Sequence, residues 1–328
     1  MSGTIANSVA HAKYPAGLKK AKSYDGTGYC FLRHHAIKYT LARMNEEAQR
    51  RINKALRCAD ADYIPKVPDA GKVRVDEKGT RVQVMHNGLL IAADGYYGDF
   101  ITQIIERLKG HHEPQEEKVF HEVLKAVGPG STMIELGCYW AYYSLWFQRA
   151  VKNATNFMIE PAKAALACGR KNFQLNGMRG DFTLARLGRT SSKDWQLPGA
   201  GAGNAEAPTV CVRDFVREKG IEEVTLLHSD IQGFEYEMLQ GCGGLITGRK
   251  IRFVFISTHS LKLHFQCLKY MTRSGYMIIA EHTPKESYSE DGLIVGVARP
   301  STVPRIQVSK RPVSARQKLK AAAFRLFA

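Results

Sequence analysis

The chain contains no C-x-x-C pair. Its seven cysteines, at 30, 58, 138, 168, 211, 242 and 267, are odd in number and scattered. This spacing speaks against a zinc knuckle or a disulfide framework and suits reduced thiols in a cytosol. The opening stretch MSGTIANSVAHAKYPAGLKK lacks an apolar core, so no secretory signal is expected. No apolar run reaches about 18 residues, so no membrane-spanning helix is expected either. Acidic residues are scarce: 31 Asp and Glu stand against 47 Lys and Arg, a net charge of +16. That excess favours an anionic partner, whether nucleic acid, a membrane surface or an acidic glycan, without choosing among them. Internal repeats are lacking too.

What is present is ample for a buried core, with 44% hydrophobic residues over 328 positions. YTLARMNEEAQRRINKALRCA (39–59) puts Leu41, Met44, Ala48, Ile52 and Leu56 on one helical stripe. The stretch 72–95 alternates apolar and polar residues around the turn signals EKG and HNG, which reads as a small β-meander. Helices are expected over 98–110, closed by Gly110, and over 113–130, closed by Gly-Pro-Gly. Short β-branched runs then alternate with helical ones. Strands are expected at 131–137, 154–160, 181–188, 223–230, 251–258, 276–282 and 293–299. This alternation gives an α/β fold with a seven-stranded, mostly parallel sheet. The short connection 283–292 makes its last strand antiparallel. The Gly/Ala-rich stretch 191–208 reads as a surface loop. The division expected is an accessory segment over 1–84, a catalytic domain over 85–300 and a basic tail over 301–328.

MIELGCYWAYYSLWF (133–147) runs from a strand through a turn into a helix. Ligands in such sheets sit beyond the carboxyl ends of the strands. A dinucleotide needs G-x-G-x-x-G so that a pyrophosphate can approach the backbone; Gly137-Cys138-Tyr139-Trp140-Ala141 does not supply it. S-adenosylmethionine carries no phosphate. It needs a tight turn, a groove and an acid for its ammonium group, roles that Gly137, Ala141 and Glu135 can fill. Glu160-Pro161 ends the next strand, where an acid can accept both ribose hydroxyls. In LLHSDIQGFEYEMLQG (226–241), Asp230 ends a buried strand, Gly233 permits a turn, and Glu235 sits in the first turn of a helix.

Together these three segments resemble the FkbM-type class I methyltransferases, over about residues 85–300. MIELGCYWAYYSLWF resembles that family's first S-adenosylmethionine loop, MIEP (158–161) its ribose-binding strand end, and the segment around Asp230 its signature K-I-D-V-E-G-x-E-x-x-x-L-x-G. HEPQEEKVF (112–120) resembles its lead-in helix, which adds Glu113 to the implied cofactor contacts. Three positions depart from the pattern: Ala141 replaces a loop glycine, His228 a lysine, and Gln232 a glutamate. The resemblance implies a Rossmann-like fold, S-adenosylmethionine as cofactor, and O-methylation of a hydroxyl, often on a sugar.

Methyl transfer to oxygen needs a base, and histidine suits neutral pH. His259 follows the fifth strand in FISTHS and is the leading candidate, with His228 or Asp230 as partner. Tyr96, Tyr97, Glu235, His264, Glu281 and His282 are candidate acceptor contacts, as is the 191–208 loop. A divalent ion on Asp230, His259 and Glu281 is open but unfavoured, because no tight ligand spacing supports it. The tail carries seven Lys/Arg and no acid. At helical spacing Leu319, Ala322, Ala323, Leu326 and Phe327 share one face, a pattern that suits a membrane surface. The expected activity is therefore methylation of a glycan, lipopolysaccharide or glycolipid, in the cytoplasm or at the cytoplasmic membrane face. The N-terminal segment is a candidate dimer contact. The alternatives are a nucleic-acid or small-molecule methyltransferase and a degenerate binding module. Nucleic acid is disfavoured because Asp-Ile-Gln-Gly stands where an Asn/Asp-Pro-Pro-aromatic motif would be.

Overall fold

Strands that are apolar on both faces require helices on both sides, and the chain supplies them. The structure, a computed structural model, describes residues 46–77, 79–93, 95–192 and 207–327. About half of the 39–59 stretch is seen as a helix, α1, over 46–55, and 56–59 have left the helix; residues 39–45 and most of the 191–208 loop lie outside the described residues. The chain divides into Met1–Glu47 and Ala48–Ala328, and the site lies wholly in the second unit.

Three short strands, β1 (Val73–Val75), β2 (Arg81–Val84) and β3 (Leu90–Ala92), form the antiparallel meander. Helices α2 (Asp99–Arg107) and α3 (Pro114–Leu124) follow, α3 ending six residues short of Gly130. The main sheet is then built from β4 (Thr132–Leu136), β5 (Thr155–Glu160), β6 (Asp181–Leu184), β9 (Val224–Ser229), β10 (Ile251–Thr258), β11 (Tyr276–His282) and β12 (Gly292–Ala298). Between them lie α4 (Tyr142–Ala150), α5 (Lys163–Leu175), α6 (Val212–Glu218), α7 (Glu235–Cys242), α8 (Gly244–Thr247) and α9 (Leu261–Arg273). The two-residue strands β7 (Arg186–Leu187) and β8 (Thr209–Val210) form a separate parallel pair that the sequence pattern does not announce.

The seven strands lie in the order β11-β12-β10-β9-β4-β5-β6. Only β12 runs antiparallel to its neighbours, as the short 283–292 connection requires. Strand order reverses at β4, which pairs with β5 on one side and β9 on the other. The crevice beyond Leu136, Glu160 and Ser229 is therefore the place for a ligand. One face of the sheet packs on α3, α4 and α5 through Phe120, Tyr142, Phe147 and Phe173; the other packs on α6, α7 and α9 through Phe215, Met238, Leu239 and Met271.

The last helix, α10 (Ala315–Phe327), packs against α9. Its less exposed positions are Gln317, Ala321 and Phe324, whereas Leu319, Ala322 and Ala323 face solvent. The apolar stripe expected through Leu319 is thus not the docked face, and the side chains of Leu326 and Phe327 lie outside the described residues. No helix among the described residues is long and apolar enough to cross a membrane.

Candidate active site

The turn after β4 is shaped by its neighbours. The backbone N–H groups of Gly137 and Cys138 both donate to the Ile159 carbonyl, at 2.8 and 3.2 Å, and Asp230 N–H donates to the Leu136 carbonyl at 2.9 Å. Gly137 has φ +74, and a Cβ there would sit 1.9 Å from the Asp230 carbonyl oxygen, so only glycine lets β4 and β9 end side by side. Tyr139 and Ala141 are also left-handed, at φ 40 and 56, and Ala141 opens α4. Tyr97 (φ 50) and Gln232 (φ 54) share this conformation. Non-glycine residues in this region cost about 1–3 kcal/mol each and tend to gather where a ligand is held.

Glu160 closes β5 with one oxygen accepting from Tyr139 N–H (3.2 Å) and the other from Ala162 N–H (2.9 Å). Burial raises its pKa. A carboxylate has about four acceptor positions, so each oxygen keeps a lone pair for a diol. Glu135, expected to meet an ammonium group, instead lies inside the protein. It is 3% exposed and accepts from Ser144 N–H at 3.0 Å, capping α4 from within, and burial raises its pKa. The side chains of Cys138, Trp140 and Ala141 are buried as well, so these three offer only backbone to the crevice. Trp140 stacks on Tyr96 at 4.4 Å and 3°.

At the rim, His259 is clasped by acids. Its Nδ1 is 2.8 Å from Glu235 Oε1, and its Nε2 is 3.1 Å from Asp230 Oδ1 and 3.3 Å from Asp291 Oδ1. These are ion-pair contacts; in-line hydrogen-bond geometry is met at neither ring nitrogen. Burial disfavours the imidazolium, but Asp230 and Glu235, with Asp291 behind them, hold its pKa at about 11. His259 is therefore already protonated at neutral pH, which corrects its expected role as the base. Glu235 Oε1 also accepts from Gly233 N–H at 3.1 Å, and Gln232 donates to Asp230 Oδ1 at 3.0 Å. Asp291, directly before the last strand, carries no signal in the sequence pattern. Burial, and then the Asp230 charge, raise it from 3.8 to about 7.

Asp230 and Asp291 line one cavity of about 230 Å³ together with Tyr96, Tyr97, Glu113 and Gln232. Glu113 is held by His112 Nε2 at 3.2 Å. His112 also contacts Glu117 through Nδ1 at 2.6 Å, and His111 pairs with the other Glu117 oxygen. Burial disfavours charge on His112, yet Glu113 and Glu117 raise it to about 10.

The remaining expected site residues lie elsewhere. His228 points off the sheet into the core, with Nε2 2.7 Å from Glu116 Oε1 and its ring 4.4 Å from that of Tyr143. Although burial opposes the charge, Glu116 raises the pKa of His228; it is a buried ion pair and not a base. The other Glu116 oxygen accepts from Ser257 Oγ at 3.0 Å. His264 is fully buried between Thr258 Oγ1 (2.9 Å) and Glu281 Oε1 (3.0 Å), and Glu281 Oε2 accepts from Lys310 at 3.0 Å. Burial would raise Glu281, but His264 and Lys310 bring it down to about 2. Burial lowers His282 to about 4. His264, Glu281 and His282 thus build the frame under β11 instead of touching an acceptor. Glu281 is engaged by His264 and Lys310; among the described residues, Asp230, Glu235 and His259 are the set whose ligand atoms lie within 4.8 Å of one another.

The family described as Methyltransferase FkbM domain matches residues 110–278, over half of the chain. No curated protein matches the chain. Among solved structures, precorrin-6y C5,15-methyltransferase from Geobacter metallireducens GS-15 is 13% identical, covering 56% of this chain and 88% of its own, with a TM-score of 0.37. TrmK from M. capricolum, in complex with S-adenosylhomocysteine, is 14% identical, covering 60% of this chain and 71% of its own, with a TM-score of 0.35. Ribosomal protein L11 methylase from Lactobacillus delbrueckii subsp. bulgaricus is 10% identical, covering 58% and 82%, with a TM-score of 0.37.

Proposed function

Because the chain belongs to the FkbM methyltransferase domain family, we propose that it is an S-adenosylmethionine-dependent O-methyltransferase whose acceptor is a sugar hydroxyl of a glycan or glycolipid. The observation that carries this reading is the pair of carboxylates, Asp230 and Asp291, that face one cavity at the carboxyl edge of the sheet with His259 between them.

Glu160, with a lone pair left on each oxygen, fits a ribose diol, and the left-handed turn over 137–141 leaves backbone to follow an adenosyl group. When bound, S-adenosylmethionine supplies a methyl group on a sulfonium. The chain must then hold the acceptor oxygen about 3–3.5 Å from that carbon and take its proton as charge develops. Asp291 takes the proton: both acids meet His259 Nε2, at 3.3 Å for Asp291 and 3.1 Å for Asp230, but Asp230 is also held by Gln232. His259 stays protonated and steadies the negative charge that both acids would share. Tyr96 and Tyr97 offer aromatic faces in the same cavity, as a neutral sugar ring requires. Its walls interleave Glu113, Asp230, Glu290 and Asp291 with Arg51, Lys54 and His112, a mixed polar surface that suits a neutral polyol.

Isothermal titration tests the cofactor. S-adenosylmethionine should bind, NAD⁺ should not, and Glu160→Ala should weaken binding at least about tenfold, the worth of one charge-assisted hydrogen bond. Radiolabelled methyl transfer to neutral glycans but not to tRNA tests the acceptor; the reverse pattern would overturn it. A metal-assisted reading has the Asp230, Glu235 and His259 set in its favour. Both nitrogens of His259 already face carboxylates, so we favour a proton in that place. Turnover should therefore survive EDTA; loss restored by Mg²⁺ would reverse the choice.

A further inference from the structure

Positive charge at the crevice, from Arg51, Lys54 and His112, is interleaved with carboxylates. A groove of about 570 Å³ runs between α7 and α9, a volume within the range of small-molecule sites. Arg249, Lys269 and Arg273 line it, and no carboxylate among the described residues does. Thr247 and Ser274 add hydroxyl groups, and the rings of Tyr236 and Tyr270 meet edge to face at 6.0 Å along its wall.

Arg249 is built into this position. Its backbone is left-handed at φ 57, a conformation that costs energy for any residue with a Cβ. Its Nη1 donates to the Arg299 carbonyl at 2.9 Å, and its Nε passes over Gly275, 3.6 Å from where a Cβ would stand. The guanidinium is thus held before any ligand arrives. Arg273 sits in the last turn of α9, where the helix dipole alone would favour a cation. The dipole does not account for Arg249, which comes from a different segment and is strained into place. Arg249 and Gly275 precede β10 and β11, so the cationic end of the groove lies at the amino edge of the sheet. Asp230 lies at the carboxyl edge, roughly 26 Å away along the eight residues of β10.

We infer that this groove is a second ligand site, separate from the methyl-transfer crevice, which binds a diphosphate-bearing molecule through Arg249, Lys269 and Arg273. Two neighbouring phosphoryl groups match three cations lining one groove, and guanidinium groups pair with phosphate oxygens bidentately. The crevice interleaves its cations, Arg51, Lys54 and His112, with Glu113, Asp230, Glu290 and Asp291, and so fits the same group less well.

The test is calorimetric titration of inorganic pyrophosphate into the full chain at low salt. Wild type should bind one equivalent. Arg249→Ala with Arg273→Ala should weaken that binding at least tenfold, while S-adenosylmethionine affinity stays within twofold. A control that removes the same charge from exposed α10, Lys318→Ala with Lys320→Ala, should change pyrophosphate affinity less than twofold. Because Arg273 is exposed, Arg273→Ala alone gives a measurable loss should the double variant fold poorly. No pyrophosphate binding by wild type, or equal weakening in the two double variants, would overturn the site.

Discussion

Asp291 carries opposite demands on one proton. Its pKa is raised from 3.8 to about 7, so between those values the folded chain binds more protons than the unfolded one. Stability contributed by this group is therefore greatest at low pH and declines as pH rises through about 7. Turnover needs the ionised form and should rise over the same interval. Asp291→Asn should remove that limb of the kcat profile, lower kcat by about 10²–10⁴-fold, and leave S-adenosylmethionine binding unchanged. A variant that keeps the limb would place the base elsewhere, with Asp230 first in line. Asp230, Glu160 and His259 were legible in the sequence because each ends or directly follows a parallel strand, and such ends share one edge of the sheet. Asp291 was not, because it precedes a strand. Only the antiparallel sense of β12, with Gly292 opposite Thr258, brings the start of that strand to the edge where β10 finishes. His228 was misplaced for the complementary reason: a residue still inside a strand points to one face of the sheet, and here that face is the core around Glu116 and Tyr143.

Among the elements, the β4–α4 turn is the least tolerant of change. Gly137→Ala adds a methyl that would sit 1.9 Å from the Asp230 carbonyl and keeps a φ of +74 that alanine resists. A loss of roughly 3 kcal/mol or more is expected by denaturant titration. A loss under about 1 kcal/mol would mean that the ends of β4 and β9 can part cheaply. The strands themselves were readable, since runs apolar on both faces have few alternatives to a central sheet. The work of α3 was not. Its acids look like ordinary first-turn residues, yet Glu116 reaches His228 and Ser257, 112 and 141 positions away, and Glu117 holds His111 and His112. Such partners are chosen by the fold, and no local spacing encodes them.

Across the whole molecule, charge and chain ends are sorted in ways that a count cannot show. Residues 301–314 read as the start of a basic tail, but they form a strap. Ile306 N–H donates to Ile279 in the edge strand β11 at 2.7 Å, and Val303, Ile306 and Val308 pack on the core. Ser309 donates to Asp60 through both its N–H (2.7 Å) and its hydroxyl (2.9 Å), and accepts from Gln115. Lys310 meets Glu281, and Arg311 donates to the carbonyls of Lys285 and Ser287. These contacts cover an edge that would otherwise present unpaired backbone groups, and they join α3 and the N-terminal side of the unit to the connection that carries Asp291. Each half-buried apolar side chain is worth about 1 kcal/mol, and buried hydrogen bonds add to that, so removing the strap should cost about 3–5 kcal/mol. Ending the chain at 300 is then expected to lower Tm by about 5–10 °C. Ending it at 314, which removes only α10, should shift Tm by less than about 2 °C. Equal losses from the two truncations would move the stabilising contacts from the strap to the packing of α10 on α9. Because the strap anchors beside Glu286 and Ser287, ending the chain at 300 should also lower turnover, at a temperature where the protein remains folded.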